Sequence, residues 1–202
     1  MTDQVTICNQ ALMLLGQNTI QSISENTAEA KACNVFYDSA RDAVLRLIKP
    51  PFIMSRVAPG ALLTAPLSGI YSYSYAYPVN TLLIVELGTS LNTGLPQGAY
   101  QDSLAWTTEY QGAVQVILTN QPILWIRYLQ VVTGVEAYMD EGFVQAFAAY
   151  LASRIAYAIT ESNAKVGLMM QLYGALQLEC ENVYGQGQST QQTFNTELLA
   201  NR

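Results

Sequence analysis

Apolar residues recur with a helical period at both ends of the chain and with a period of two in its middle. Cys8, Ala11, Leu12 and Leu15 fall at i, i+3, i+4 and i+7. That spacing makes one apolar stripe and predicts a helix over residues 3–15. Thr2 or Asp3 offers an N-cap oxygen, and Gly16 stands where a left-handed residue ends a helix. A second helix is predicted over 27–49. Its expected start is Asn26 with Glu29 three residues on, a capping-box variant. Its expected inward stripe is Ala28, Ala32, Val35, Phe36, Ala40, Ala43, Val44 and Leu47, opposite Glu29, Lys31, Asp38, Arg41 and Asp42. Pro50–Pro51 stops it, because neither proline donates to the helical ladder.

Residues 50–66 read as an extended connection with a turn at Pro59–Gly60. The period then changes. Tyr71, Tyr73, Tyr75 and Tyr77 alternate with Ser72, Ser74 and Ala76, a strand pattern that puts four aromatic rings on one face. Leu82–Leu87 is a short continuous apolar run, read as a buried strand. Residues 88–102, rich in glycine, proline and polar residues, read as a loop. Trp106–Gln111, Ala113–Thr119 and Leu124–Val132 read as three further strands, separated by Gly112 and by Asn120–Gln121–Pro122.

The helical period returns at Asp140, a good N-cap. It continues through Phe143, Phe147, Tyr150, Leu151, Arg154, Ile155, Ala158 and Ile159. A last helix is expected over 163–184, with Val166, Met169, Met170, Tyr173, Leu176, Cys180 and Val183 along one side and Gly185 as its cap. Residues 185–193 contain few apolar side chains and read as a flexible tail. Phe194, Leu198 and Leu199 follow as a short apolar cluster. The pattern predicts an α+β fold, in which two N-terminal and two C-terminal helices form one bundle around an inserted, mainly antiparallel β-rich part. The expected divisions are an N-terminal helical pair at 1–55, the β-rich insertion at 56–136, a C-terminal helical pair at 137–184 and the tail at 185–202.

Composition narrows the function classes. Half of the 202 residues are hydrophobic, enough for a sizeable core, while only 12% are charged, against roughly 25% in typical soluble domains. A lone subunit with so few charges would expose much uncharged surface, so an oligomer is expected. The net charge of −6 argues against ordinary binding to a phosphate backbone, which needs clustered Lys and Arg. The chain has no histidine, which removes the commonest general base and metal ligand. Cys8, Cys33 and Cys180 match no zinc spacing and read as buried free thiols in a reducing compartment. Asp3 stands where the positive region of a secretory signal would lie, so no signal peptide is expected. No uninterrupted apolar run reaches about 18 residues, so no membrane-spanning helix is expected.

Candidate chemistry is sparse. Asp140 and Glu141 are adjacent, but neighbours at a helix start do not converge on one substrate atom, and capping explains them better. Glu179 and Glu181 lie two apart on a helix and read as solvated. The Tyr71, Tyr73, Tyr75 and Tyr77 face could stack single-stranded nucleic acid, yet residues 57–101 contain no Lys or Arg to hold a backbone. A packed sheet face or a protein contact fits it better. Met169–Met170 fits core filling before a pliable contact surface. Arg154, on an otherwise apolar helix, is compatible with a buried ion pair, a subunit contact or simple snorkelling. No phosphate-loop, dinucleotide, nucleophile-elbow or zinc-protease motif occurs. Catalytic, cofactor-binding and metal-binding residues are therefore assigned as none, and the chain is not expected to be an enzyme.

The order of several segments resembles a known family. The opening, Asn9–Gln10–Ala11–Leu12 with Leu15–Gly16, then an Ala-rich helix ending Arg41 to Arg46, then Pro50–Pro51–Phe52, resembles the head-to-tail adaptors of short-tailed bacteriophages, the tail tubular protein A type. Tyr75–Ala76–Tyr77–Pro78 with Leu82–Leu83 resembles a strand of that family, and Leu124–Trp125–Ile126–Arg127–Tyr128 the strand before its second helical pair. The run from Phe143 to Ala152, continued by Ile155–Ala156–Tyr157–Ala158–Ile159–Thr160, resembles its long helix, and Tyr173 the tyrosine of the helix after it. These matches span most of residues 5–184 in the same order. Two departures stand out: Pro51–Phe52 replaces the family's usual Pro–Trp, and the tail after Tyr184 is not matched.

The resemblance implies a structural virion protein at the portal vertex, made in the bacterial host cytoplasm. It implies a homo-oligomeric ring, usually of twelve subunits, between the portal protein and the tail nozzle, or tubular protein B type. Genomic DNA would pass through its channel during ejection without sequence-specific binding, and no membrane or cofactor is involved. Phe194, Leu198 and Leu199 would contact the portal; Tyr71, Tyr73, Tyr75 and Tyr77 would present a second contact face. The alternative reading is a cellular protein-interaction or ligand-binding module that uses the Tyr-rich sheet.

Overall fold

A computed structural model describes residues 2–62, 66, 69–88, 105–131 and 134–186. Within them the chain forms helices α1 (Gln4–Leu14) and α2 (Ala28–Ile48), then strands β1 (Met54–Val57), β2 (Tyr73–Ala76), β3 (Thr81–Gly88), β4 (Trp106–Gln111), β5 (Val114–Thr119) and β6 (Trp125–Gln130). Helices α3 (Glu141–Thr160) and α4 (Asn163–Gln186) follow. The α+β class and the mainly antiparallel β-rich insertion are as the change of period predicts.

α3 is the axis of the helical layer. Phe143, Phe147, Leu151 and Ile155 are fully buried, and the small residues Ala146, Ala148, Ala149, Ala152 and Ala156 let neighbouring helices approach its other sides. One core cluster gathers Ile7, Leu12 and Leu15 of the α1 region, Tyr37, Val44 and Leu45 of α2, these α3 residues, and Met169, Tyr173 and Cys180 of α4. α2 runs antiparallel to α3: Phe52, just past its end, stacks edge-on against Phe143 at 5.2 Å, Tyr37 meets Phe147 at 5.1 Å, and Arg154 lies over Phe36. α4 is antiparallel to α3 on another side, with Tyr173 against Tyr150 at 4.9 Å and Tyr184 hydrogen-bonded to Asp140. α3 is long and apolar enough to cross a membrane by length and composition alone, but 61% of its most apolar window is buried inside this fold.

The strands form two three-stranded antiparallel sheets, ordered β1-β6-β3 and β2-β5-β4. Alternation on the central strand β6 ties the layers together. Leu129 points into the helical core, whereas Ile126 and Tyr128 join Tyr75, Ile117 and Leu124 in a second cluster between the sheets. β3 has register irregularities between Thr81 and Leu83 and between Ile84 and Glu86. The second lets Leu83 and Val85 pack on the helices while Ile84 and Leu87 pack on the other sheet. The order of layers is therefore helices, first sheet, second sheet.

Several local expectations change. α2 is capped by Thr27, whose hydroxyl accepts from the Ala30 amide, and not by Asn26. Its buried face is Ala30, Cys33, Tyr37, Ala40, Val44, Leu45 and Ile48. Val35 and Leu47, assigned inward from sequence, are 70% and 49% exposed. Alanine occurs on every side of this helix, so apolar spacing left the face ambiguous, and the polar hydroxyl of Tyr37 hid a core ring. Met54–Val57, read as part of an extended connection, is an edge strand paired with β6. β3 is half-buried throughout instead of buried, because each of its faces meets a different layer incompletely. Gly185 does not cap α4, which continues to Gln186. Of the predicted α4 stripe, Met170 and Val183 are exposed while Met169, Tyr173 and Cys180 are buried.

Candidate interaction surfaces

The tyrosine face is the first candidate. β2 pairs with β5 so that Tyr75 lies opposite Ile117 and Tyr73 opposite Thr119. Alternation turns Tyr73, Tyr75 and Tyr77 toward the first sheet. Tyr75 is fully buried and donates its hydroxyl proton to the Gln121 carbonyl at 2.7 Å. Burial raises the pKa of Tyr75 and of Tyr77, with a further rise from Tyr73 and Tyr110 respectively. Tyr71, Tyr73 and Tyr77 are half-buried. The four tyrosines are thus not an open platform: Tyr75 is withdrawn from any partner contact, and its neighbours pack around the core between the sheets. Strict alternation reported the shared face correctly but not whether that face meets solvent or another layer.

Phe194, Leu198 and Leu199 lie outside the described residues.

A second candidate is the corner where α3 begins and α4 ends. The Asp140 carboxylate has two uses. Oδ1 accepts from the Phe143 amide at 3.0 Å and caps α3, and Oδ2 accepts the phenolic proton of Tyr184. Burial and the bond to Asp140 raise the Tyr184 phenol well above its ordinary value. Gly142, Gln145, Leu176, Glu179, Cys180 and Val183 join these two around a small cleft of about 200 Å³. Burial, reinforced by Asp140, Glu179 and Glu181, pushes the Cys180 thiol up to about 11. A neutral thiol beside carboxylates is a poor nucleophile and a poor metal ligand. Glu141 points outward and accepts from Gln145.

A third polar group sits where α2 meets the turn before α3. Tyr37 donates to Glu136 at 3.2 Å, and Arg41 bonds Asp38 and Asp42 at 3.0 Å, with Glu136 at 3.9 Å. Burial raises the Tyr37 phenol, and the Glu136 carboxylate raises it further. This network clamps the turn at Val135–Tyr138 onto α2. Sequence gave no sign of it, since Tyr37 and Glu136 are 99 residues apart.

Among the described residues there is no cluster of three or more His, Cys, Asp or Glu side chains able to hold a metal ion. Cys8, Cys33 and Cys180 are all buried and free. Cys8 is raised by its hydrogen bond to Cys33 and by burial.

No protein-family model matches this chain, and no curated protein matches it.

What the surface offers instead is uncharged contact area. Leu168, Leu178 and Val183 on α4 are 58%, 60% and 59% exposed, and Val35 on α2 is 70% exposed. Met13 and Leu14 at the end of α1 and Tyr157 on α3 are exposed as well. Arg154 is exposed with its guanidinium 5.8 Å from the Phe36 ring, so it covers that ring and leaves its charge in solvent.

Proposed function

We propose that this protein is a structural subunit of a bacteriophage virion, a head-to-tail adaptor that assembles as a ring beneath the portal and extends the DNA channel toward the tail nozzle. The observation that carries this reading is the serial order of the segments that resemble the adaptor family, from Asn9 through Tyr173. The layout of two helices, an antiparallel β-rich insertion and two helices is compatible with it. So is the composition: a 12% charged chain whose flanking helices expose leucine and valine is suited to an existence among neighbours. The net charge of −6 suits a lumen through which DNA slides without adhering.

In this reading the protein works by adhesion and channel lining, without turnover. Ring multiplicity converts modest contacts per subunit into firm attachment to the portal. Phe194, Leu198 and Leu199 are proposed as the portal-facing residues. The competing interaction-module reading rested on the tyrosine face, and burial of Tyr75 removes its central ring.

The test is assembly. Purified protein examined by light scattering and negative-stain electron microscopy should form rings, and these should bind isolated portal rings. A chain that remains monomeric alone and in the presence of portal refutes the adaptor. Deleting residues 187–202 should leave the melting temperature nearly unchanged but weaken portal attachment. Undiminished attachment would refute the assignment to Phe194, Leu198 and Leu199.

A further inference from the structure

Two of the three thiols lie against each other inside the helical core. Cys8 is on α1 and Cys33 on α2, and both are fully buried. The Cys8 thiol donates a hydrogen bond to the Cys33 sulfur, which raises Cys8, the donor, and lowers Cys33, the acceptor. The Tyr37 phenol, one turn beyond Cys33 on the buried face of α2, is also raised in part by Cys8. Cys8 therefore rests on the turn of α2 between residues 33 and 37. Ala11 and Ala30, each three residues from its cysteine, are fully buried as well. Small side chains beside each cysteine let the two backbones approach, as an S–S bond requires. Cys180 differs, because its charged neighbours are Asp140, Glu179 and Glu181.

The thiol pair joins elements that are otherwise thinly connected. α1 packs chiefly on α3 and meets α2 over a short stretch. Other polar bonds of the α1 region run elsewhere. Lys165 donates to the Leu15 carbonyl at 2.7 Å, and Asn9 bonds the amide and the carbonyl of Ile20 at 2.8 and 2.9 Å.

We propose that Cys8 and Cys33 are a peroxide-oxidisable dithiol whose disulfide staples α1 to α2. This dithiol does not depend on the adaptor reading. Cys33, which gives up its proton more readily than Cys8, attacks one oxygen of hydrogen peroxide. An S–O bond forms, the O–O bond breaks, and the departing hydroxide takes the Cys33 proton to become water. Cys8 then attacks the sulfur of the Cys33 sulfenic acid. The S–S bond forms, the S–O bond breaks, and the hydroxyl leaves with the Cys8 proton as a second water. The two sulfurs are oxidised and the two peroxide oxygens are reduced. Both thiols are buried, so the reaction follows local opening of α1, a helix of only 11 residues, and peroxide is small enough to enter. A sulfenic acid formed beside a second thiol is captured as a disulfide before it oxidises further.

The test exposes the folded full chain to hydrogen peroxide, alkylates the remaining thiols and maps the peptides by mass spectrometry. Met13, 68% exposed, reports the dose through its sulfoxide. At a dose that oxidises Met13, Cys8 and Cys33 should be recovered as one intramolecular disulfide, with Cys180 still alkylated. The melting temperature should rise by roughly 5–15 °C, from the loop closed over residues 8–33, and should return on reduction with dithiothreitol. In Cys8→Ala the Cys33 sulfenic acid has no partner, so dimedone should label it and the thermal rise should vanish. Cys8 and Cys33 both alkylated while Met13 is oxidised would overturn the proposal, and this readout needs no variant to fold. A disulfide through Cys180, or one between Cys8 and Cys33 that forms only in denaturant, would overturn it as well. A Cys8–Cys33 disulfide that leaves the melting temperature unchanged or lowers it would refute the staple.

Discussion

Phe147→Ala against Phe36→Ala separates the buried face of this fold from its apparent apolar stripe. Both phenylalanines lie centrally in sequence stripes, so the sequence alone assigns them equal cost. In the structure Phe147 is fully buried, with ring contacts to Tyr37 at 5.1 Å and Phe143 at 6.5 Å. Truncation there empties the junction of α2 with α3, which is walled by other buried side chains and cannot collapse readily. The expected loss is about 3–5 kcal/mol, the transfer free energy of the ring plus the cavity term. Phe36 is half-buried beneath Arg154 and can be replaced by solvent, so about 1–2 kcal/mol is expected. For a chain of this size each kcal/mol moves the melting temperature by about 2–4 °C, giving a fall of roughly 6–20 °C for Phe147→Ala and roughly 2–8 °C for Phe36→Ala. Val79→Ala, at a position 78% exposed, is the control and should stay within about 0.5 kcal/mol. Differential scanning calorimetry at fixed protein concentration is the assay, because association also shifts the transition. Equal losses at 36 and 147, or a Phe147→Ala transition no lower than that of the Val79 control, would refute the assignment of the α2 and α3 faces.

Asp140→Ala removes a helix cap and the partner of Tyr184 together, so it should cost about 1–3 kcal/mol; Tyr184→Phe, which spares the cap, should cost about 0.5–1.5 kcal/mol, and equal losses would show that the cap contributes nothing. Gly88→Ala places a methyl carbon 2.2 Å from the Trp125 ring, so the indole must move; a loss of about 1–3 kcal/mol with altered tryptophan fluorescence is expected, and an unchanged spectrum would contradict the contact. The Cys180 thiol, raised to about 11, and the Tyr173 phenol, raised to about 12 chiefly by burial, hold their protons longer folded than unfolded. Their contribution is complete below about pH 9 and is lost as pH rises toward 12, so denaturant midpoints should fall across that window in the wild type and fall less in Cys180→Ala with Tyr173→Phe. An equal or steeper fall in the double variant would reverse the sign of this argument.

Element type was fixed by local pattern. The caps at Asp3 and Asp140 and the turns at Gly16 and Gly112, both with positive φ, are short-range effects, readable within a few residues. Sequence also determined that the helical ends share a core, since each carries an apolar stripe that must be covered. It did not determine which face of α2 is covered, because Ala, Val and Leu occur around its circumference and the choice depends on what α3 presents. It did not separate Met54–Val57 from its surroundings, because an edge strand is defined by the partner β6, which lies about 70 residues away in the chain. Nor did it show that the tyrosine face is closed. Alternation places Tyr73, Tyr75 and Tyr77 together, but only the stacking of two sheets through Ile126 and Tyr128 decides that Tyr75 meets protein and not solvent.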